Sequence, residues 1–208
     1  MELLNLYLYA GVPMLTINLL FYSITTLSTS ITSSQNVFKF LYETTDSEYS
    51  IYKKQIELTD LELKLKITKG LVWDVLRAYG KNSNEFALLV EEITNPHITS
   101  TTNTILDYEM IDIKTNTGTS ILSKIPEPIK LSLNSIAILI QKINGILLQV
   151  EKKIQAHKAL YFKSIRTFCL KKTIGELKLE TELLDSRLEM LFKLIDAYKI
   201  KIGTCNIT

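Results

Sequence analysis

Ile129, Leu133, Ile136, Ile140, Ile143, Leu147, Val150 and Ile154 follow one another at alternating spacings of four and three residues. That rhythm returns every one of these side chains to a single face of an α-helix. A helix with one unbroken apolar stripe has to bury it against other helices, so the chain is predicted to be an all-α, antiparallel helical bundle. Pro126 and Pro128 stand where the stripe begins, a position at which a missing N–H costs little, and the helix is expected from about 128 to 158.

A second run, Leu170, Ile174, Leu177, Thr181, Leu184, Leu188, Leu191, Ile195 and Tyr198, repeats the rhythm with Thr181 alone polar. It predicts a closing helix over about 165–200 that packs antiparallel to the first, with Gly203 where that helix would stop. The reversal falls between Lys158 and Ser164. A third stripe, Leu58, Leu61, Leu65, Thr68, Val72, Val75 and Tyr79, has the same period, although Leu61, Leu63, Leu65 and Ile67 also alternate as a strand would. Leu, Lys and Glu are better helix than strand formers, which favours one helix over about 48–79 with Gly80 as its stop. A short helix over 84–94 is closed by Asn95-Pro96.

From His97 to Ser123 the periodicity fails and Thr and Asn dominate, so 95–124 is read as a loop in which Met110 to Ile113 has the alternation of a small hairpin. Seven Gly and four Pro are too few for the many tight turns of an all-β sandwich. Each buried Leu or Ile contributes roughly 1.5–3 kcal/mol, so the stripes supply a core that needs no cofactor.

The N-terminal segment, 1–38, stands apart, because no charged residue occurs between Glu2 and Lys39 and its first part is rich in Leu, Ile, Phe and Tyr. An uncharged span of more than about 20 residues is long enough to cross a bilayer as a helix. Pro13, Asn18 and the Ser/Thr tract from Ser23 to Ser34 dilute its hydrophobicity, and the acidic Glu2 in place of Lys or Arg is unlike a cleaved secretory signal. Leu20, Ile24, Leu27 and Ile31 repeat at spacings of four, three and four, a packing stripe. Three readings stay open: a membrane-inserted helix, a core helix of the bundle formed by 39–208, or one helix that does both in different states.

The chain holds no Gly-rich phosphate loop, no zinc-spaced Cys/His cluster and no serine-nucleophile elbow, so no catalytic residue, metal site or small-molecule substrate is expected. His97 and His157 are far apart, and Glu176, Glu180, Asp185 and Glu189 lack the Glu-x-x-His pairs that bundle di-metal sites use. Trp73 reads as a core or groove residue. Cys169 and Cys205 suit a reducing compartment better than a disulfide scaffold, which points to a cytoplasmic protein with membrane association.

Lys plus Arg is 24 against 22 Asp plus Glu, so any electrostatic argument has to be local. One stretch qualifies: Lys152, Lys153, Lys158, Lys163, Arg166, Lys171 and Lys172 fall in a run without a single acid, interleaved with Tyr161, Phe162 and Phe168. Anionic lipid headgroups would gain about 1 kcal/mol per basic residue there. Nucleic-acid phosphates attract the same residues, and the greasy N-terminus favours lipid over nucleic acid.

The segment Lys172-Thr173-Ile174-Gly175-Glu176-Leu177 through Leu183-Leu184-Asp185-Ser186-Arg187-Leu188-Glu189-Met190-Leu191-Phe192 resembles the closing helix of HeLo-type domains. These are fungal cell-death bundles related to the N-terminal domains of mixed-lineage kinase-like proteins. Ile56-Glu57-Leu58-Thr59-Asp60-Leu61-Glu62-Leu63-Lys64-Leu65, with Trp73 after it, looks like that family's second long helix. The chain departs from the family in lacking a Gly/Ala-rich N-terminus and in having Arg166-Thr167-Phe168 where a Trp commonly precedes the closing helix. The resemblance implies that the first helix leaves the bundle and inserts, with Leu6, Leu8, Val12, Leu15, Leu19 and Phe21 as inserting residues, while the basic stretch docks to anionic lipid.

The leading expectation is therefore a non-catalytic bundle that docks to or perturbs a bilayer, as a cell-death effector would. The rival is a membrane-anchored or coiled-coil component of a large assembly such as a virion, a homo-oligomer or the partner of another helical protein.

Overall fold

The computed structural model describes residues 2–80, 83–94, 121–160 and 168–198, with side chains from residue 19 onward except 83–85, 92 and 94. Six helices follow in chain order: α1 Glu2–Glu43, α2 Ser47–Glu57, α3 Leu61–Tyr79, α4 Ser83–Thr94, α5 Glu127–Lys158 and α6 Lys171–Ala197. A helical turn at 121–124 precedes α5, and no strand occurs among the described residues.

The eight residues of the first stripe all lie on α5, and none is more than 1% exposed. Pro128 sits in the first turn of α5, where no intrahelical N–H bond is lost. Against this helix α6 packs antiparallel, as the ties from Lys142 Nζ to Glu180 Oε1 (2.6 Å) and from Lys153 Nζ to Thr173 Oγ1 (2.7 Å) show. The α6 stripe from Leu170 to Ile195 is buried throughout, Thr181 included, because its hydroxyl donates to the Leu177 carbonyl at 2.7 Å.

By contrast, α1 runs parallel to α5. Ser23 Oγ lies 2.6 Å from Asn134 Oδ1 and Ser34 Oγ lies 3.2 Å from Asn144 Oδ1, so both helices advance together. Leu20, Ile24, Leu27 and Ile31 are buried in this packing. The Ser/Thr tract stays helical because its hydroxyls bond back to the preceding turn, Thr25 to Phe21 O, Thr29 to Thr25 O and Thr32 to Ser28 O, each at 3.0 Å.

The fourth wall is α3. It runs back along α1, with Tyr42 Oη donating to Glu62 Oε2 at 2.8 Å, and alongside α6, with Lys64 Nζ 2.8 Å from Asp185 Oδ2. Two helices thus point one way and two the other. The short α2 covers the end at which α1 and α5 finish, and α4 packs on α1 and α3, setting Phe86 edge-on to Trp73 at 6.3 Å.

In three places the structure departs from the reading of the sequence. The single helix expected over 48–79 is split at Leu58–Asp60, where Asp60 takes a left-handed conformation (φ 52°) and Thr59 Oγ1 bonds the Ile56 carbonyl at 2.6 Å. The break turns Leu58, expected on the core stripe, out to 74% exposure and buries Ile56 instead. The end of the expected loop is helical at 121–124, where Ile121 and Leu122, with Ile125 after them, are buried ahead of α5, a plug too short to show periodicity. The closing helix begins at Lys171, after the non-helical residues 168–170, and Tyr198 at its end is exposed. The suggested hairpin at Met110–Ile113 lies outside the described residues.

Candidate functional site

The uncharged N-terminal segment and the basic stretch are the two candidate regions, and the helices fix their separation. Bonded partners of α1 and α5 differ by 111 and 110 positions, so Glu127, the first residue of α5, lies opposite about position 16 of α1. Residues 2–15 of α1 therefore precede α5 along the bundle axis, roughly 20 Å of helix at about 1.5 Å per residue. Leu6, Leu8, Val12 and Leu15 belong to this part of α1, and their side chains lie outside the described residues. Leu19 is 50% exposed, whereas Phe21 is half-buried against the core. The following stripe, Leu20 to Ile31, is core.

The basic stretch sits at the other end. Lys152 lies about 37 Å beyond the start of α5 by helical rise, and the bond from Lys153 to Thr173 places Lys171 and Lys172 beside it. Its members are not equivalent. Lys152, Lys171 and Lys172 are exposed. Lys153, also exposed, ties α5 to the first turn of α6. Lys158 is half-buried: its ammonium reaches Thr44 Oγ1 at 3.2 Å and Asp46 Oδ2 at 3.9 Å, and lies over the rings of Phe40 and Tyr49 at 5.4 and 5.7 Å. It pins the end of α1 to the end of α5. Lys163 and Arg166 lie outside the described residues.

Beside Lys158 is a cluster that the sequence reading passed over. His157 is only 6% exposed, with Nδ1 2.9 Å from Tyr49 Oη and its ring 4.6 Å from that of Phe168. Its Nε2 has no hydrogen-bond partner among the described residues, the Glu48 carboxylate standing 3.8 Å away. Burial, reinforced by Glu48 and Asp46, pushes the Tyr49 phenol above its ordinary pKa of 10.0. The signal was present: 150, 154 and 157 continue the four-three spacing, so His157 sits on the core stripe rather than among the lysines around it.

Two further features have the outline of a site. A surface cleft of 240 Å³ opens at the α2–α3 break, lined by Phe38, Tyr42, Lys53, Ile56, Leu61 and Lys66. Its polar groups are already engaged with one another, Tyr42 and Lys66 both bonding Glu62 and Lys53 lying over the Tyr42 ring at 4.9 Å. Among the described residues, no three His, Cys, Asp or Glu side chains gather to hold a metal ion. Also among them, α5 is long and apolar enough to cross a membrane by length and composition, with a mean hydropathy of 1.5, but half of that window is buried inside the bundle.

No family model matches the chain, and no curated protein or solved structure matches it either.

Proposed function

We propose that this chain is a non-catalytic, membrane-targeting helical bundle that docks to a lipid bilayer through the uncharged first half of α1. The observation that supports this most is the division of that helix. It is continuous from Glu2 to Glu43, and its second half is built into the core beside α5. Its first half, free of charge after Glu2, continues past the point where α5 begins. An apolar, uncharged helix continuous with a rigid bundle delivers apolar side chains to lipid while Leu20, Ile24, Leu27 and Ile31 stay in the core. Membrane perturbation of the kind that the HeLo-type resemblance implies would begin from this docked state.

The test is flotation of the full chain with phosphatidylcholine vesicles, alone and with added phosphatidylserine, beside the Val12→Arg variant. An arginine costs up to about 2.5–3.5 kcal/mol at the centre of a lipid-embedded helix and less towards the interface, so partitioning should fall by up to roughly a hundredfold. The wild-type chain is expected to float and the variant to remain below at an unchanged melting temperature. A wild-type chain that does not float with either vesicle refutes the proposal.

A further inference from the structure

The two candidate regions lie at opposite ends of a bundle whose long helices share one axis, so a bilayer reached end-on could touch only one of them. A face that runs along the axis joins them. On the outer side of α1, α5 and α6, Leu19 and Leu131 line one depression with Asn134, and Ile138 faces Leu183 and Arg187 across the shallow groove between α5 and α6. These apolar side chains are well exposed, Leu131 and Ile138 each at 60%, and Met190 extends the row one heptad beyond Leu183. Gly145 continues the Leu131–Ile138 spacing on α5, and a Cβ placed there would meet nothing within 4 Å. Exposed apolar side chains that recur along one face in this way, rather than singly, are what a contact site presents.

The charges on the same face select the occupant. Glu180 is held by Lys142 at 2.6 Å and Glu127 by Lys130 at 3.4 Å. Lys152 follows Leu131 by three heptads, Lys172 precedes Leu183 by three helical turns, and Arg187 borders the groove. All three are exposed, and among the described residues no acid pairs with them. Among the described residues of this apolar face, three free cations stand against one free acid, Glu176, and complement an anionic lipid surface.

We propose that the chain lies flat on an anionic bilayer, with the outer face of α1, α5 and α6 against the headgroups and Lys152, Lys172 and Arg187 binding their phosphates and carboxylates. This rests on the docking reading above and adds its geometry: the first half of α1 lies along the interface, and the exposed lysines of the basic stretch act together with Arg187, which lies outside that stretch.

The test compares the full chain with Ile138→Glu/Leu183→Glu on this face, Lys152→Gln/Arg187→Gln at its cationic positions, and Ile67→Glu, an exposed apolar residue on α3. Binding is measured on phosphatidylcholine vesicles with and without phosphatidylserine, with melting curves as the check on folding. The face variant is expected to lose at least tenfold in affinity. The charge variant should lose about fivefold per cation on the anionic vesicles only, while Ile67→Glu binds as the parent does. If the parent binds and the face and charge variants bind equally well, flat docking is wrong and docking through α1 stands. If the parent binds neither vesicle, both fall. If the parent sediments as a dimer that Ile138→Glu/Leu183→Glu dissociates, a second copy covers this face and the proposal is overturned. The charge variant alters only exposed side chains, so it decides the matter even if the double glutamate variant unfolds.

Discussion

Ile31→Ala tests whether the second half of α1 belongs to the core. Ile31 is fully buried on the stripe that faces into the bundle. The substitution removes three carbons, about 2.4 kcal/mol of transfer free energy at ~0.8 kcal/mol each, and the space left behind brings such losses to about 2–5 kcal/mol. Taking about 3.5 kcal/mol, and about 2–4 °C per kcal/mol for a chain of this size, the melting temperature should fall by about 7–14 °C. Thr29→Ala is the control, on the exposed side of the same helix with its hydroxyl bonded only to the carbonyls of Thr25 and Thr26. It should stay within about 0.5 kcal/mol of the parent. Thermal melts followed by far-UV circular dichroism give the shift in melting temperature, and urea denaturation gives the free energies of both variants. If Ile31→Ala and Thr29→Ala are equally mild, α1 is not part of the cooperative core and the division of that helix is wrong.

Two other perturbations follow from local chemistry. At Asp60, where φ is 52°, Asp60→Val should cost about 1–2 kcal/mol because a β-branched side chain resists the left-handed region, and Asp60→Gly should be neutral or stabilising; equal stability of the two in urea would remove the strain argument. The bond to Glu62, with burial second, raises the Tyr42 pKa from 10.0 to about 12. A folded-state pKa above the unfolded one means that this contribution is intact below pH 10 and is lost as the pH climbs through about 12. In Glu62→Gln, absorbance titration should show one more tyrosine ionising near its ordinary value, and superimposable curves would contradict the assignment.

The core was legible wherever one stripe ran unbroken. On α5 the apolar spacing alone named the buried residues, because Ile and Leu at every fourth and third position leave a helix no other way to pack. His157 obeys the same spacing, yet its polarity and its lysine neighbours concealed it. Leu58 shows the opposite failure: its spacing fits, but a helix break, with Thr59 Oγ1 bonded to the Ile56 carbonyl and Asp60 left-handed two residues on, turns it outward. The direction of α1 could not be read at all. Its parallel course beside α5 rests on Ser23 and Ser34 meeting Asn134 and Asn144, pairs separated by more than a hundred positions. For the candidate site, the sequence supplied the uncharged segment and the basic run as patterns. It could not separate Lys152, which is exposed, from Lys158, whose ammonium is committed to Thr44 and Asp46, because that difference depends on where α1 ends in space.

Amide hydrogen exchange, with and without anionic vesicles, is the most direct test of a helix shared between core and membrane. Amides of residues 20–41 should be as slow as the core of α5 in both conditions, whereas those of residues 3–15 should slow markedly only when vesicles are added. Rapid exchange across 20–41, or no change at 3–15 in vesicle-bound protein, would contradict it.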